Sequence, residues 1–193
     1  MDNNEETLRL AAQLSLQLQR LVKTVEDRDA PSPAVIGAVA AAAYGYVRAT
    51  NDLDLASAVM PGTLSAFAAH LKHQGMQAHF EYPDGSDPLG GVLTVKTDTT
   101  KPIQFVNYIN PFRTIPTVGI DALKSASAIE GGGLPLVSLN YLIMLKLYAG
   151  GLKSLADIVE LLKRNPDVDI VQLRSQCEHY NLEEALDSVI EYL

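Results

Sequence analysis

The chain has a single cysteine, Cys177, so no internal disulfide can form, and a reducing compartment such as the cytoplasm is the expected setting. No motif surrounds Cys177, which reads as a half-buried helix residue and not as a nucleophile. No apolar run is long enough to span a bilayer, so no membrane anchoring is expected. The N-terminus, Met1-Asp2-Asn3-Asn4-Glu5-Glu6, is acidic and polar where a secretory leader would be basic and then apolar. Basic excess is also lacking. The formal net charge is −8, and Lys163-Arg164 is the one basic doublet. That balance argues against a large nucleic-acid footprint and so does not favour an RNA acceptor. There is no internal repeat and no low-complexity tract. What remains is a globular composition, 47% hydrophobic and 20% charged over 193 residues, enough for one ordinary domain, or one domain with a small appendage.

Ala11, Leu14, Leu18, Leu21 and Val25 recur at steps of three and four, which predicts a helix over about Glu5 to Asp27 with these residues on its packed face. Leu10 and Leu16 fall off that stripe and would meet a second surface. After Ala30-Pro31-Ser32-Pro33, Ala34-Val35-Ile36 reads as a short buried strand. Gly37 and the run Ala38 to Ala43 read as a turn into a helix. Leu53 to Val59 alternates as a strand. A helix then opens at Pro61-Gly62-Thr63, with Thr63 as candidate cap and Gly75 as terminator. Strands are predicted at Ala78 to Tyr82, Val92 to Thr97 and Ile103 to Tyr108, with turns at 84–88 and 98–102.

The last third is helical: a break at Gly131-Gly132-Gly133, a short strand over Leu134 to Val137, then helices over Leu139 to Ala149, Leu152 to Arg164 and Asp169 to His179. Ser138 would cap the first of these, and Asn181 with Glu184 would form a capping box for a final helix. Strands clustered mid-chain predict an α/β (α+β) protein with a mixed, partly antiparallel sheet flanked by helices and followed by helices. The divisions expected are an N-terminal helix in 1–30, an α/β core in 31–137 and a helical region in 138–193.

The chemistry concentrates in Val35-Ile36-Gly37-Ala38 and in Gly45-Tyr46-Val47-Arg48-Ala49-Thr50-Asn51-Asp52-Leu53-Asp54. A glycine at a strand-to-helix turn lets backbone N–H groups approach a phosphate. Asp52 and Asp54, two apart on a strand, face one way, and such a pair suits Mg²⁺, a hard cation held by few carboxylates plus phosphate oxygens. Arg48 has two readings, a phosphate ligand or the partner of a nearby acid. Lys146, in an otherwise apolar helix, reads as a snorkelling side chain with a role against a nucleotide as the alternative. Lys153 and Asp157, four apart, read as a surface pair. His70, His73, His79 and His179 show no metal-ligand spacing.

Taken together, the glycine turn, Gly-x-x-Arg-x-Thr-x-Asp-hydrophobic-Asp and the later helices resemble the polymerase-beta-type nucleotidyltransferase superfamily. The closer resemblance is to its bacterial branch of minimal nucleotidyltransferases and abortive-infection toxins. In that branch a Lys-Leu-x-Ala-Gly segment, here within Ser138 to Gly151, precedes a basic-Asp-x-x-Asp segment, here Lys153-Ser154-Leu155-Ala156-Asp157. The resemblance spans about Ala34 to Leu162. It implies the nucleotidyltransferase fold, and Mg²⁺-dependent transfer of a nucleoside monophosphate from a nucleoside triphosphate to a hydroxyl. It also implies metal-binding, catalytic Asp52 and Asp54, with Gly37, Ala38, Arg48 and Thr50 at the nucleotide. Members add a third carboxylate on a later strand. In Pro102-Ile103-Gln104-Phe105-Val106-Asn107 that place falls to Gln104, or to Asn107 if the register slips. Neither amide supplies negative charge. Ala38 replaces the second glycine or serine, and Ser154 replaces an acid. These departures define the alternative, a catalytically degenerate domain that binds nucleotide or a protein partner, as in a toxin–antitoxin pair or a homodimer.

Overall fold

A computed structural model describes residues 3–86, 88–112, 118–128 and 133–193. Helix α1 spans Asn3–Val25. Strand β1 (Ala34–Val35) leads directly into α2 (Gly37–Ala43), then come β2 (Leu53–Ser57) and α3 (Pro61–His73). The middle of the chain supplies β3 (Gln77–Glu81), β4 (Val92–Lys96) and β5 (Ile103–Asn107), followed by α4 (Val118–Ser125), β6 (Ser127–Ala128) and β7 (Pro135–Leu136). Four helices close the chain: α5 (Leu139–Ala149), α6 (Gly151–Arg164), α7 (Ile170–Glu178) and α8 (Glu183–Ile190). None of the described helices is long and apolar enough to cross a membrane.

The strands form one mixed sheet in the order β3-β4-β5-β2-β1-β7-β6. β3, β4 and β5 are antiparallel neighbours, β5 and β2 run parallel, and β1 lies antiparallel to β2 and parallel to β7. The expected mixed α/β architecture is therefore present. One face of the sheet is apolar. Leu53, Leu55, Ile103, Phe105, Leu93 and Val95 are all buried there, and the ring of Phe67 from α3 meets Phe105 edge-on at 6.4 Å. α1 packs on α3. α5 is buried all along Leu142 to Leu147, as a helix apolar on every side must be. It contacts α2, α4 and α6.

Several local expectations are corrected. The buried face of α1 is Thr7, Ala11, Leu14, Ser15, Leu18 and Val22, while Val25 is exposed and Leu21 only half-buried. Leu16 points to solvent. Thr63 does not cap α3: it is buried inside the first turn. The helix start is held instead by Glu26, whose Oε1 accepts from Met60 N at 3.0 Å. Ser138 makes no capping bond, although it occupies the N-cap position of α5. Asn181 does not cap α8. Its φ of 55° is left-handed and Leu182 holds the N-cap position, whereas a capping side chain needs an extended backbone. Helix α4 and strand β6 have no counterpart in the sequence reading. Of the glycine break, only Gly133 lies within the described residues.

Candidate functional site: a carboxylate pair beside a glycine turn

β1 ends at the edge of a tight turn. Ile36 N donates to Asp54 O at 3.0 Å, which ties the turn to β2. Gly37 follows with φ +67°, and a β-carbon built there would collide with the Asp54 carboxylate. Glycine is thus required twice at this position, by its backbone angle and by the acid lying against its Cα. α2 begins at Gly37 and runs only to Ala43.

On β2, Leu53 and Leu55 point into the core, so Asp54 points the other way. Asp52 sits one residue ahead of the strand, in the bend that precedes it. Its Oδ1 accepts from Thr50 Oγ1 at 2.7 Å. Asp54 accepts no side-chain hydrogen bond from the described residues. Burial first, and the neighbouring Asp52 second, push its pKa up to about 6, against the opposing pull of Lys146, Lys153 and Arg48.

Beside it on β5 stands Gln104, in direct register with Asp54 across the parallel pairing. The alternative register is excluded. Asn107 points to the opposite side, fully buried. Its amide nitrogen donates to the carbonyls of Val59 (2.8 Å), Gly90 (3.0 Å) and Ile109 (3.2 Å), and its Oδ1 accepts from Val59 N at 3.0 Å. Asn107 locks the end of β5 and is buried away from the Asp54 face. Glu81 does not replace the missing acid either. It lies in the row of Val92 and Val106, three strands and one side-chain row away from Asp54.

Arg48 has the acid partner that one of its two readings expected. Its Nε and one terminal nitrogen reach the two oxygens of Asp157, each at 2.8 Å. Lys146 Nζ reaches Asp157 Oδ2 at 2.6 Å. Asp157 is therefore not in a surface pair with Lys153, and Lys146 does not snorkel: both are buried. Burial alone would raise the Asp157 pKa, but the hydrogen bonds from Arg48 and Lys146 outweigh it and hold the carboxyl below its usual range. Sequence reasoning missed this triad because its members lie 109 and 11 positions from Asp157. The one available signal was a charged residue within the apolar run of α5.

Ala38, Arg48, Thr50 and Asp52 also line one cavity of about 380 Å³, together with Asn4, Thr7 and Leu8 of α1. Gly37, Asp54 and Gln104 adjoin one another outside that cavity's lining. By donor chemistry, two carboxylates such as Asp52 and Asp54 suit one divalent cation when phosphate oxygens complete its shell. Among the described residues, no group of three or more His, Cys, Asp and Glu side chains converges on a common point. The residues present do not fit a second, protein-held ion.

No protein-family model matches the chain, and no curated protein matches it. Several solved structures share its general course. The antibiotic-resistance factor ANT(2'')-Ia superposes with a TM-score of 0.48 at 16% identity, over 96% of this chain and 95% of that one. The Megavirus polyadenylate synthase gives 0.45 at 12% identity, over 86% of this chain and 33% of its own length. An antigenic nucleotidyltransferase-like protein from Paracoccidioides brasiliensis gives 0.44 at 14% identity, over 92% of both chains. These neighbours are nucleotidyltransferases or nucleotidyltransferase-like. At such identities the likeness assigns no activity to this chain.

Proposed function

We propose that this protein is nucleotidyltransferase-like, that it binds a nucleoside triphosphate through one Mg²⁺ at Asp52 and Asp54, and that its transfer step is weak. The single observation that supports this reading best is the row in which Asp54, packed on the Gly37 turn, stands beside Gln104. It combines a carboxylate pair suited to one cation with an amide where a further anionic oxygen would be needed. A bound Mg²⁺ would neutralise triphosphate charge and orient the reacting phosphorus. Asp52 would be held for that role by Thr50. Asp54 would be held by its contact with Gly37, with Lys146 and Lys153 adding positive potential for the polyphosphate. Calorimetry with each of the four common triphosphates is expected to show magnesium-dependent binding of at least one, and Asp52→Asn is expected to lose it. Absence of magnesium-dependent binding for all four would overturn the reading.

Gln104 also favours a second reading, in which the domain binds nucleotide without turning it over. Nucleotidyl transfer brackets the attacking and leaving oxygens between two divalent ions. Two aspartates with substrate phosphates balance one ion, and an amide dipole does not hold the second. Loss of one preorganised electrostatic contact costs on the order of a hundredfold in rate. Gln104→Asp is therefore expected to raise turnover of radiolabelled triphosphate by roughly tenfold or more over a low wild-type rate. Robust wild-type labelling that the substitution leaves unchanged would show that the amide suffices.

A further inference from the structure

The row that begins at Asp54 does not stop at Gln104. Asp54 pairs with Gln104, Gln104 with Thr94 and Thr94 with His79, in direct register over β2, β5, β4 and β3. At roughly 4.8 Å per strand the row runs about 14 Å from the carboxylate to the sheet edge. Alternation sets all four on one face, because their strand neighbours Leu53, Ile103, Phe105, Leu93, Val95 and Ala78 are buried on the other. Gln104 and Thr94 are half-buried and His79 is exposed. None of these three side chains makes a hydrogen bond or ion pair within the described residues. Their nearby polar counterparts Thr50, Asn107 and Asp157 are all engaged.

The outer half of the row also opens into a concavity of about 460 Å³, where Thr94 and His79 are joined by Lys72, Gln77, Glu81 and Lys96. Lys96 stands directly opposite Gln77. Two lysines against one glutamate make this a locally cationic patch on a chain of net charge −8. Lys96, the polar row and Asp54 share one face, and Lys72 reaches the concavity from α3.

We propose that this face is the acceptor site: it takes a small polyhydroxyl molecule with a phosphate group. The reacting hydroxyl lies at the Asp54–Gln104 end, hydroxyls along the molecule bond to Gln104, Thr94 and His79, and the phosphate rests between Lys96 and Lys72. The assignment rests on the nucleotide reading of Asp52 and Asp54. In the transfer, the acceptor oxygen bonds to the α-phosphorus of the triphosphate, and the bond from that phosphorus to the oxygen bridging to the β-phosphate breaks. Pyrophosphate departs with the electron pair, and the hydroxyl proton passes to solvent. The product is a phosphodiester.

The test is calorimetry on the full chain, saturated with magnesium and a non-hydrolysable triphosphate. Glucose 6-phosphate and trehalose 6-phosphate are each titrated against their unphosphorylated forms. At least one phosphorylated sugar is expected to bind tenfold or more tightly than its neutral counterpart. Lys96→Gln with Lys72→Gln should remove that preference without altering triphosphate binding, and Thr94→Val should weaken the sugar severalfold. If triphosphate binds but neither phosphate group improves affinity, or if the lysine substitutions change nothing, the acceptor assignment falls and the nucleotide reading stands. An aminoglycoside that binds in preference to the phosphorylated sugars would likewise overturn it. Failure of the triphosphate to bind overturns both.

Discussion

Asp157→Ala is expected to destabilise the protein by about 3–5 kcal/mol, the scale set by breaking a buried ion pair through removal of one partner. The Asp157 side chain is 3% exposed and faces two cations, with Lys146 at 9% and Arg48 at 19% side-chain exposure. Removing the carboxylate leaves a buried ammonium and a part-buried guanidinium without their shared counter-charge. The triad also joins three parts of the chain. Asp157 belongs to α6, Lys146 to α5, and Arg48 to the segment that leads into Asp52 and β2. Its loss should therefore loosen the C-terminal helices from the strand that carries the carboxylate pair. Urea unfolding monitored by circular dichroism measures the effect, and a loss below about 1 kcal/mol would place the triad in the class of solvated surface pairs. The pH dependence has a definite sign. Because the folded pKa of Asp157 is depressed, its contribution is present above the unfolded value near 4 and is lost as pH falls through the lower folded value. Replacing Asp157, Lys146 and Arg48 together by apolar residues of similar volume should cost less than Asp157→Ala alone, because no charge is then left unpaired.

That triad marks where the sequence stops being informative. The five-residue strands were legible because Leu53 to Val59 alternates and because turn residues at 84–88 and 98–102 bound the apolar, β-prone runs of the other strands. Their order was not, since pairing is a matter of register between distant segments. Gln104 was expected in the place of the third carboxylate only through the family resemblance, with Asn107 as the alternative, and the parallel pairing of β2 with β5 sets Gln104 opposite Asp54. The pairing of Asp157 with Arg48 and Lys146 could not, because nothing in a helix pattern tells a charged residue that snorkels from one that finds a buried partner. The face of α1 shifted for a geometric reason. Steps of three and four average 3.5 residues, a true helix turns in 3.6, and the stripe drifts by about 20° per heptad. By the last turns Val22 has replaced Leu21 at the core, and Val25 is exposed as the final residue of the helix. Thr7 and Ser15 join that face because their hydroxyls donate to the carbonyls of Asn3 (2.6 Å) and Ala11 (2.8 Å), so their burial leaves no polar group unpaired. α4 carries Gly119 in its first turn. In the fold it is there for packing: a β-carbon at that position would run into the ring of Tyr108.

Asp54→Asn is expected to make the metal-free protein more stable at pH 8, by about 1–2 kcal/mol, or a Tm rise of roughly 3–6 °C for a chain of this size. The reason lies in the site itself. Burial and Asp52 raise the Asp54 pKa from 3.8 to about 6, and two units correspond to about 3 kcal/mol of unfavourable ionisation in the folded state. Partial exposure of the carboxylate to solvent reduces the part that appears as stability. For an acid whose folded pKa is raised, the folded state binds the extra proton between the unfolded value near 4 and about 6. Wild-type stability should therefore fall as pH rises through that window and level off above it. The amide does not ionise, so the variant's advantage should be largest at pH 7–8 and shrink towards pH 5. Magnesium with a bound triphosphate should reverse the order, because a cation stabilises the ionised wild-type carboxylate and gives the amide little. Thermal unfolding at pH 5 and pH 8, with EDTA or with magnesium and triphosphate, measures all four corners. A variant less stable than wild type at pH 8 in EDTA would mean that Lys146, Lys153 and Arg48 need the Asp54 charge more than burial penalises it.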